Sequence, residues 1–167
     1  MTTLYAQPYD ITATGFYFET AEQYAALAAK AVNDYGQPVE EFEIQFIDGE
    51  AIDAALARAI RLNQANFAAF LESVDSWEDW EKDCVIIAVG ECGQDFDPEC
   101  GPHLLGVEIF DCHSLRELAE RFVDDGLFGE IPESLKFYID YDAIARDLAV
   151  DYTATEIAGA PVIYRCA

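Results

Sequence analysis

Basic side chains are scarce in this chain. Lys and Arg together number 9 against 33 Asp and Glu, so the formal net charge at neutral pH is -24. A chain so negative repels nucleic acid and anionic membranes, and we expect it to bind neither directly. It has only two histidines and no Gly-x-Ser-x-Gly or phosphate-loop pattern, which leaves a Ser-His triad or nucleotide hydrolysis without support. We therefore expect a protein that is not an enzyme and uses no cofactor.

Long apolar runs and an export leader are also lacking. The longest apolar run, Cys84 to Val89, is far shorter than the roughly 20 residues that cross a bilayer. Residues 1–20 contain no Lys or Arg and carry Asp10 and Glu19, which is unlike a secretory leader. An odd number of cysteines without export signals favours reduced thiols. These features predict a cytoplasmic protein. The cysteines are Cys84, Cys92, Cys100, Cys112 and Cys166.

Metal-binding patterns are weak. Cys100 and His103 form the tightest ligand-like pair, but the overall Cys and His spacing matches no standard zinc finger. Asp95, Asp97 and Glu99 alternate as in a calcium loop, yet the glycine that such a loop requires would fall on Cys100. The sequence therefore predicts no metal site.

The composition is nevertheless that of a folded protein. Hydrophobic residues make up 52% and aromatic residues 13% of the chain, which is far more than a disordered acidic tail contains. The charge exceeds what solubility requires and costs stability through self-repulsion, so it calls for another explanation. A strongly basic partner, a salt-saturated cytoplasm and the binding of many cations are the three alternatives.

Periodicity in the first half of the chain predicts a hairpin, a helix, a third strand and a further helical segment. The alternation of Glu or Gln with Phe or Ile in the third strand is typical of a sheet with one buried face. The predicted elements are a hairpin of Leu4–Tyr9 and Gly15–Phe18, a helix from Thr20 to Val32, a strand at Glu41–Ile47, and a helix at Ala51–Val74 with a possible break near Asn63.

The second half alternates shorter elements with polar turns. In order, we predict a short helix or loop at Asp75–Asp83, a buried strand at Cys84–Val89, a loop at Gly90–Pro102, a strand at Leu104–Phe110, a helix at Ser114–Asp125, a turn at Gly126–Pro132, a helix at Ser134–Val150, and a strand pair of Thr153–Ile157 and Pro161–Tyr164. The fold class is α+β, with short mixed or antiparallel sheets. We expect an elongated chain of small units at 1–50, 51–102 and 103–167.

Near the C-terminus the sequence contains a distinctive block, LAERFVDDGLFGEIPESLKFYIDYDAIARDL. Its acidic helix end at Asp124 and Asp125, the turn Gly129–Leu135 and the segment Tyr138–Leu148 resemble the ArdA antirestriction family. Looser matches lie at Glu40–Gly49 and Asn66–Val74. The segment Cys84–Gly101 departs from the family pattern.

This resemblance implies a function. Members of the family are carried by mobile genetic elements and inhibit type I restriction-modification enzymes. They are elongated homodimers whose acidic surface imitates bent B-DNA and occupies the DNA channel of the enzyme. The resemblance thus implies a restriction-modification enzyme as the partner of this chain.

The charge of the chain is compatible with DNA mimicry. Duplex DNA carries about one negative charge per 1.7 Å of axis, so a net charge of -24 corresponds to about 40 Å of duplex. Ten acids lie in each of the segments 10–53, 72–99 and 108–142, so the charge is spread along the chain. Our candidate phosphate mimics are Glu72, Asp75, Glu78, Asp79, Glu81, Asp83, Glu117, Glu120, Asp124, Asp125, Glu130, Glu133, Asp140, Asp142 and Asp147.

Large apolar residues stand in the turn of the resembling block. Leu127, Phe128 and Ile131 either pack in the core or form a two-fold interface, since an exposed apolar patch usually marks a contact site. We name them as the candidate dimer interface.

Two other functions remain open. An acidic interaction module could sequester or chaperone another basic DNA-binding protein, and a halophilic housekeeping domain could carry the same charge without any mimicry.

Overall fold

A computed structural model describes residues 1–97, 101–102 and 105–166. The chain forms two compact units, Met1–Leu105 and Gly106–Ala167. Each unit contains a three-stranded antiparallel sheet together with helices. The predicted α+β class with short antiparallel sheets is therefore confirmed.

The sheet of the first unit is built on the predicted hairpin. β1 (Thr3–Pro8) is the central strand, and β2 (Phe16–Phe18) and β3 (Phe42–Asp48) pair with it on either side. Alternation along the strands buries Leu4, Ala6 and Ile44. A Cβ at Gly15 would collide with the Tyr5 hydroxyl, so the entry to β2 requires glycine.

The first helix, α1 (Ala21–Ala28), begins where the sequence predicts but ends earlier. Its N-cap is Thr20, whose Oγ1 accepts a hydrogen bond from the Gln23 N–H at 3.2 Å. The extension to Val32 is wrong. The Asn33 side-chain oxygen accepts from the backbone N–H of Gln37 at 2.9 Å, which favours a turn over another helical turn.

The long helical segment of the first unit consists of two helices. α2 (Ala51–Ala59) and α3 (Phe67–Ser76) are separated at the predicted break near Asn63. There the Asn63 Oδ1 accepts from the Ala65 N–H at 2.8 Å, and the Asn66 Oδ1 accepts from the Asn63 N–H at 2.7 Å. These local bonds stabilise the turn that precedes α3.

The apolar run Cys84–Val89 is helical, so the predicted strand is wrong. α4 (Asp79–Val85) continues directly into a π-helix, Ile86–Glu91. Ile86, Ile87 and Ala88 are all buried, so the run is covered on every side. A short run buried all round has no period that distinguishes strand from helix. The helix alternative for 75–83 is confirmed in part by α4.

The second unit packs three helices with a sheet of order β4-β6-β5. Its helix at Ser114–Asp125 and its C-terminal strand pair agree with the predictions, whereas the predicted helix at Ser134–Val150 is two helices. The elements are β4 (Val107–Phe110), α5 (Leu115–Asp124), α6 (Glu133–Lys136), α7 (Tyr141–Leu148), β5 (Thr153–Ile157) and β6 (Ala160–Cys166).

The core of the second unit lies between α5 and the sheet. Leu118 and Ile163 are fully buried, and the rings of Phe110, Phe122 and Tyr152 lie 5.6–5.7 Å apart in edge-to-face contacts. This packing holds the outer face of α5 towards solvent.

The cysteines differ from the expectation of reduced thiols. Cys84 and Cys112 are free and buried, but Cys92 and Cys166 are disulfide-bonded. The expectation of reduced thiols is therefore wrong for these two residues. Cys100 lies outside the described residues.

Helices in the described residues are all too short or too polar to cross a membrane.

Candidate functional site

Acidic side chains of the first unit line up on α3. Glu72 and Asp75 are both exposed and stand three residues apart, which places them on one helix face. The opposite face of α3 buries Phe67, Phe70 and Leu71. Core packing thus turns both carboxylates outward.

The acidic side chains at and within α4 differ in their solvent exposure. Glu78 and Asp79 are exposed, whereas Glu81 is half-buried and its Oε2 accepts from the Glu78 N–H at 2.9 Å. Asp83 is half-buried as well, and this burial, together with the nearby Asp79 carboxylate, raises the pKa of Asp83. Glu81 therefore also caps its helix, and Asp83 is the least solvated charge of the group.

The basic residue of α4 points inward. The Lys82 Nζ lies 2.7 Å from the Asp53 Oδ1, and the two side chains are only 5% and 3% exposed. The Thr2 hydroxyl donates to the other Asp53 oxygen at 3.4 Å. The cation that the sequence places among the acids of α4 is thus neutralised inside the unit. Sequence reasoning missed this ion pair. The one indication of it in the sequence was the position of Lys82 next to the apolar run Cys84–Val89.

Acids on α5 and α7 are joined by one arginine. Arg116 lies 3.1 Å from the Glu120 Oε1 and 2.7 Å from the Asp142 Oδ1. The hydrogen bond to Asp142, and then the one to Glu120, raise the pKa of Arg116. Glu117 accepts from the His113 N–H at 2.8 Å and so fixes the start of α5.

The remaining candidates follow the chain from α5 to α7 and are all exposed. Two of them meet cations of the same unit: Asp125 faces Arg121 at 3.8 Å, and Glu133 contacts Lys136 at 2.8 Å. Asp140 caps α7 by accepting from the Ala143 N–H at 2.9 Å. The others are Asp124, Glu130 and Asp147.

The candidate carboxylates thus form one group on α3 and α4 and another around α5, α6 and α7. Residues 9–160 match the family described as antirestriction protein (ArdA). This chain belongs to the ArdA antirestriction family. The match extends over both units, well beyond the C-terminal block and the looser segments. No curated protein sequence matches the chain significantly.

ArdA membership implies an antirestriction function directed at type I restriction-modification enzymes. The family is one of inhibitor proteins, so the partner is a protein of the restriction-modification system.

Apolar side chains are exposed in the turn of this ArdA-family chain. Leu127 is 62% and Phe128 53% exposed, whereas Ile131 is half-buried. Ile131 also lines a groove of about 400 Å³ together with Val123 and Pro132. Further exposed apolar residues of the same segment are Leu135, Phe137 and Tyr138. Five of these six apolar side chains are thus exposed to solvent within one short segment of the chain.

Metal ligands are not grouped within residues 1–97, 101–102 and 105–166. The ligand-like residues Glu99, Cys100 and His103 lie outside the described residues.

Proposed function

We propose that this protein blocks a type I restriction-modification enzyme by occupying its DNA channel as a DNA mimic. The observation that supports this mechanism most strongly is the exposure of carboxylates on every helix from α3 to α7, while Lys82 is drawn into the interior. The protein would act in the cytoplasm, where such an enzyme meets DNA, and would not bind nucleic acid itself.

Pairing of the basic side chains strengthens this proposal. Arg116, Arg121, Lys136 and Arg165 each lie within 4.0 Å of a carboxylate of their own unit. Such exposed pairs contribute little to stability. Their effect is to cancel scattered positive charge, which leaves unpaired carboxylates to dominate the surface field.

The unpaired candidates are suited to replace phosphates. Glu72, Asp75, Asp124 and Asp147 are exposed and form no ion pair within the described part of the chain. An enzyme grips DNA largely through Lys and Arg contacts to phosphate, and a carboxylate satisfies the same cations. Binding should therefore weaken steeply as salt rises.

The decisive experiment is a titration of the protein into a type I restriction enzyme bound to labelled target DNA, at low and moderate salt. We expect displacement of DNA that weakens with salt. Inhibition of the enzyme that is insensitive to the concentration of competing duplex DNA would contradict channel occupancy. Equal binding to unrelated basic DNA-binding proteins would favour the sequestering module instead.

The dimer interface is a second part of the proposal. We place Leu127, Phe128 and Ile131 in a two-fold contact, because large apolar side chains are rarely left uncovered in one segment without a partner. A two-fold axis makes such a patch complementary to itself.

Leu127→Asp is expected to convert the dimer to a monomer at micromolar concentration, since each copy would bury a charge in the interface. Sedimentation velocity measures the change. The matched control is Ile11→Asp, which adds the same charge at an aliphatic residue 96% exposed in the first unit and should leave the dimer intact. A wild-type protein that sediments as a monomer, or a dimer unaffected by Leu127→Asp, would rule out this interface.

A further inference from the structure

Two arginines of the first unit differ from most other basic residues of the chain. Arg58 and Arg61 are exposed, and neither guanidinium has an ion pair or side-chain hydrogen bond within the described residues. Lys30 and Arg146 also lack ion pairs there, but each stands alone. In a chain with 33 acidic residues, two cations three residues apart that pair with no carboxylate in the described part of the chain call for an explanation.

Both arginines line a groove whose other lining residues are apolar. The groove has a volume of about 410 Å³ and lies between β3 and α2. It is lined by Ile44 and Phe46 of β3, by Ala54 and Ala57 of α2 and by Leu62, together with Arg58 and Arg61. An occupant therefore meets an apolar surface and two positive charges together.

The backbone at Arg61 is strained. Its φ is +52°, the left-handed region that favours glycine. Arg61 follows the end of α2, and the Leu62 N–H donates to the Ala57 carbonyl at 2.9 Å, which is the bond of a Schellman helix end. Glycine is the usual residue at this position. An arginine there costs stability, which indicates that its side chain is used.

The open edge of β3 adds backbone groups to the groove. β3 lies at the edge of its sheet, and the Tyr9 N–H donates to the Glu41 carbonyl at 3.2 Å. Backbone groups in an antiparallel ladder alternate between the two neighbours, so those of Ile44 and Phe46 face away from β1. The same two residues that line the groove thus hold backbone groups on the edge where no other strand of the described residues pairs with β3. On this edge the Phe42 N–H already donates to the Gln64 Oε1 at 3.0 Å.

We infer that this groove binds an extended acidic segment of a partner protein as an added strand beside β3. The segment would pair with the outward backbone groups of Ile44 and Phe46 and place an apolar side chain against the apolar lining residues of the groove. A neighbouring Asp or Glu would accept hydrogen bonds from Arg58 and Arg61, whose planar guanidinium groups match a carboxylate. Long polyanions are disfavoured by the net charge of the chain, whereas one or two carboxylates on a short segment are repelled far less.

The first test is selection from a displayed library of random peptides about seven residues long, the length of β3. Wild-type protein is the bait, and the Arg58→Gln/Arg61→Gly variant is used for counter-selection. We expect enriched peptides to carry at least one acid among β-branched or aromatic residues. No enrichment, or enriched peptides without acids, would overturn the inference.

The second test measures the affinity of a synthesised enriched peptide. Arg58→Gln/Arg61→Gly is expected to weaken binding by about tenfold or more, because each lost contact is a charge-assisted hydrogen bond. Arg146→Gln removes an exposed unpaired arginine of the second unit and should leave the affinity unchanged. Equal loss in Arg146→Gln would show a general charge effect and contradict the site.

Stability and amide signals complete the test. Arg61→Gly is expected to keep or raise the Tm while it weakens peptide binding, which a merely structural role for Arg61 would not produce. The amide NMR signals of Ile44 and Phe46 should shift on binding, whereas unchanged signals would exclude strand addition.

The Arg58→Gln/Arg61→Gly variant should still inhibit the restriction enzyme. The inference about the groove can therefore fail without the proposed function failing, and the reverse also holds.

Discussion

Lys82→Ala is expected to lower the free energy of unfolding by about 3–5 kcal/mol, the range observed when one partner of a buried ion pair is removed. The variant leaves the Asp53 carboxylate, which is only 3% exposed, without its cation, and the Thr2 hydroxyl at 3.4 Å is a weak substitute. Lys82 and Asp53 also join α4 to α2, so the loss loosens the packing of the first unit. Urea denaturation followed by circular dichroism measures the effect.

Two controls make this prediction specific. Lys136→Ala breaks an exposed contact to Glu133 of similar length, 2.8 Å, and should cost less than about 1 kcal/mol. The double variant Lys82→Met/Asp53→Leu replaces the pair by apolar side chains and should recover most of the loss. If Lys82→Ala proves no more destabilising than Lys136→Ala, the pair is not buried in solution.

Neutralising the unpaired carboxylates is expected to weaken binding to the restriction enzyme by about 10- to 100-fold. The variant Glu72→Gln/Asp75→Asn/Asp124→Asn/Asp147→Asn removes four exposed charges. Each exposed charge pair contributes roughly 0.2–1 kcal/mol, and the four together reach the energy of such a change. The salt dependence of binding should fall as well, since fewer cations of the enzyme are neutralised. The displacement titration at two salt concentrations measures both effects.

A matched variant separates position from net charge. Asp34→Asn/Glu40→Gln/Glu41→Gln/Glu43→Gln removes the same number of charges from exposed residues outside the candidate set. We expect its affinity to change by less than about threefold, a difference that long-range repulsion alone explains. Equal losses in the two variants would mean that total charge, and not these carboxylates, determines binding.

The elements that the sequence predicted well share a local cause. The hairpin follows from β-rich, aromatic segments on either side of a polar connection, and β3 follows from the alternation of polar and apolar residues. The helices α1 and α5 follow the N-caps Thr20 and Ser114, whose side chains accept from the backbone N–H groups of Gln23 and Glu117. Each of these signals lies within a few consecutive residues, so the element can be predicted without knowledge of the tertiary packing.

The wrong predictions concern segments whose structure depends on contacts with other parts of the chain. Cys84–Val89 was predicted as a strand because its residues are apolar and β-branched, yet α2 and the rest of the unit cover it on all sides as helix. Helix length was overestimated after Ala28 because the Asn33 side chain competes for backbone groups. In both segments the secondary structure depends on contacts that the local pattern of polar and apolar residues does not reveal.

Some features of the candidate site were predictable from the sequence and others were not. Its acidic character and its placement on α3, α4, α5 and α7 were predictable, because exposed helix faces carry the charge and apolar faces carry the core. The second roles of Glu81 and Glu117, which also hold helix starts, were not predicted.

The net charge, the spread of acids along the chain, the α+β class and the family all follow from the amino-acid sequence alone. These properties depend on residue counts, local periodicity and a contiguous motif. Which charges reach the surface depends instead on the packing of the helices and sheets. Lys82 meets Asp53 across 29 residues of sequence, and Arg116 meets Asp142 across 26, because helices pack by their apolar faces and bring distant charges together as a consequence. Arg58 and Arg61, by contrast, pair with no carboxylate among the described residues, and the number of acids in the sequence does not predict this.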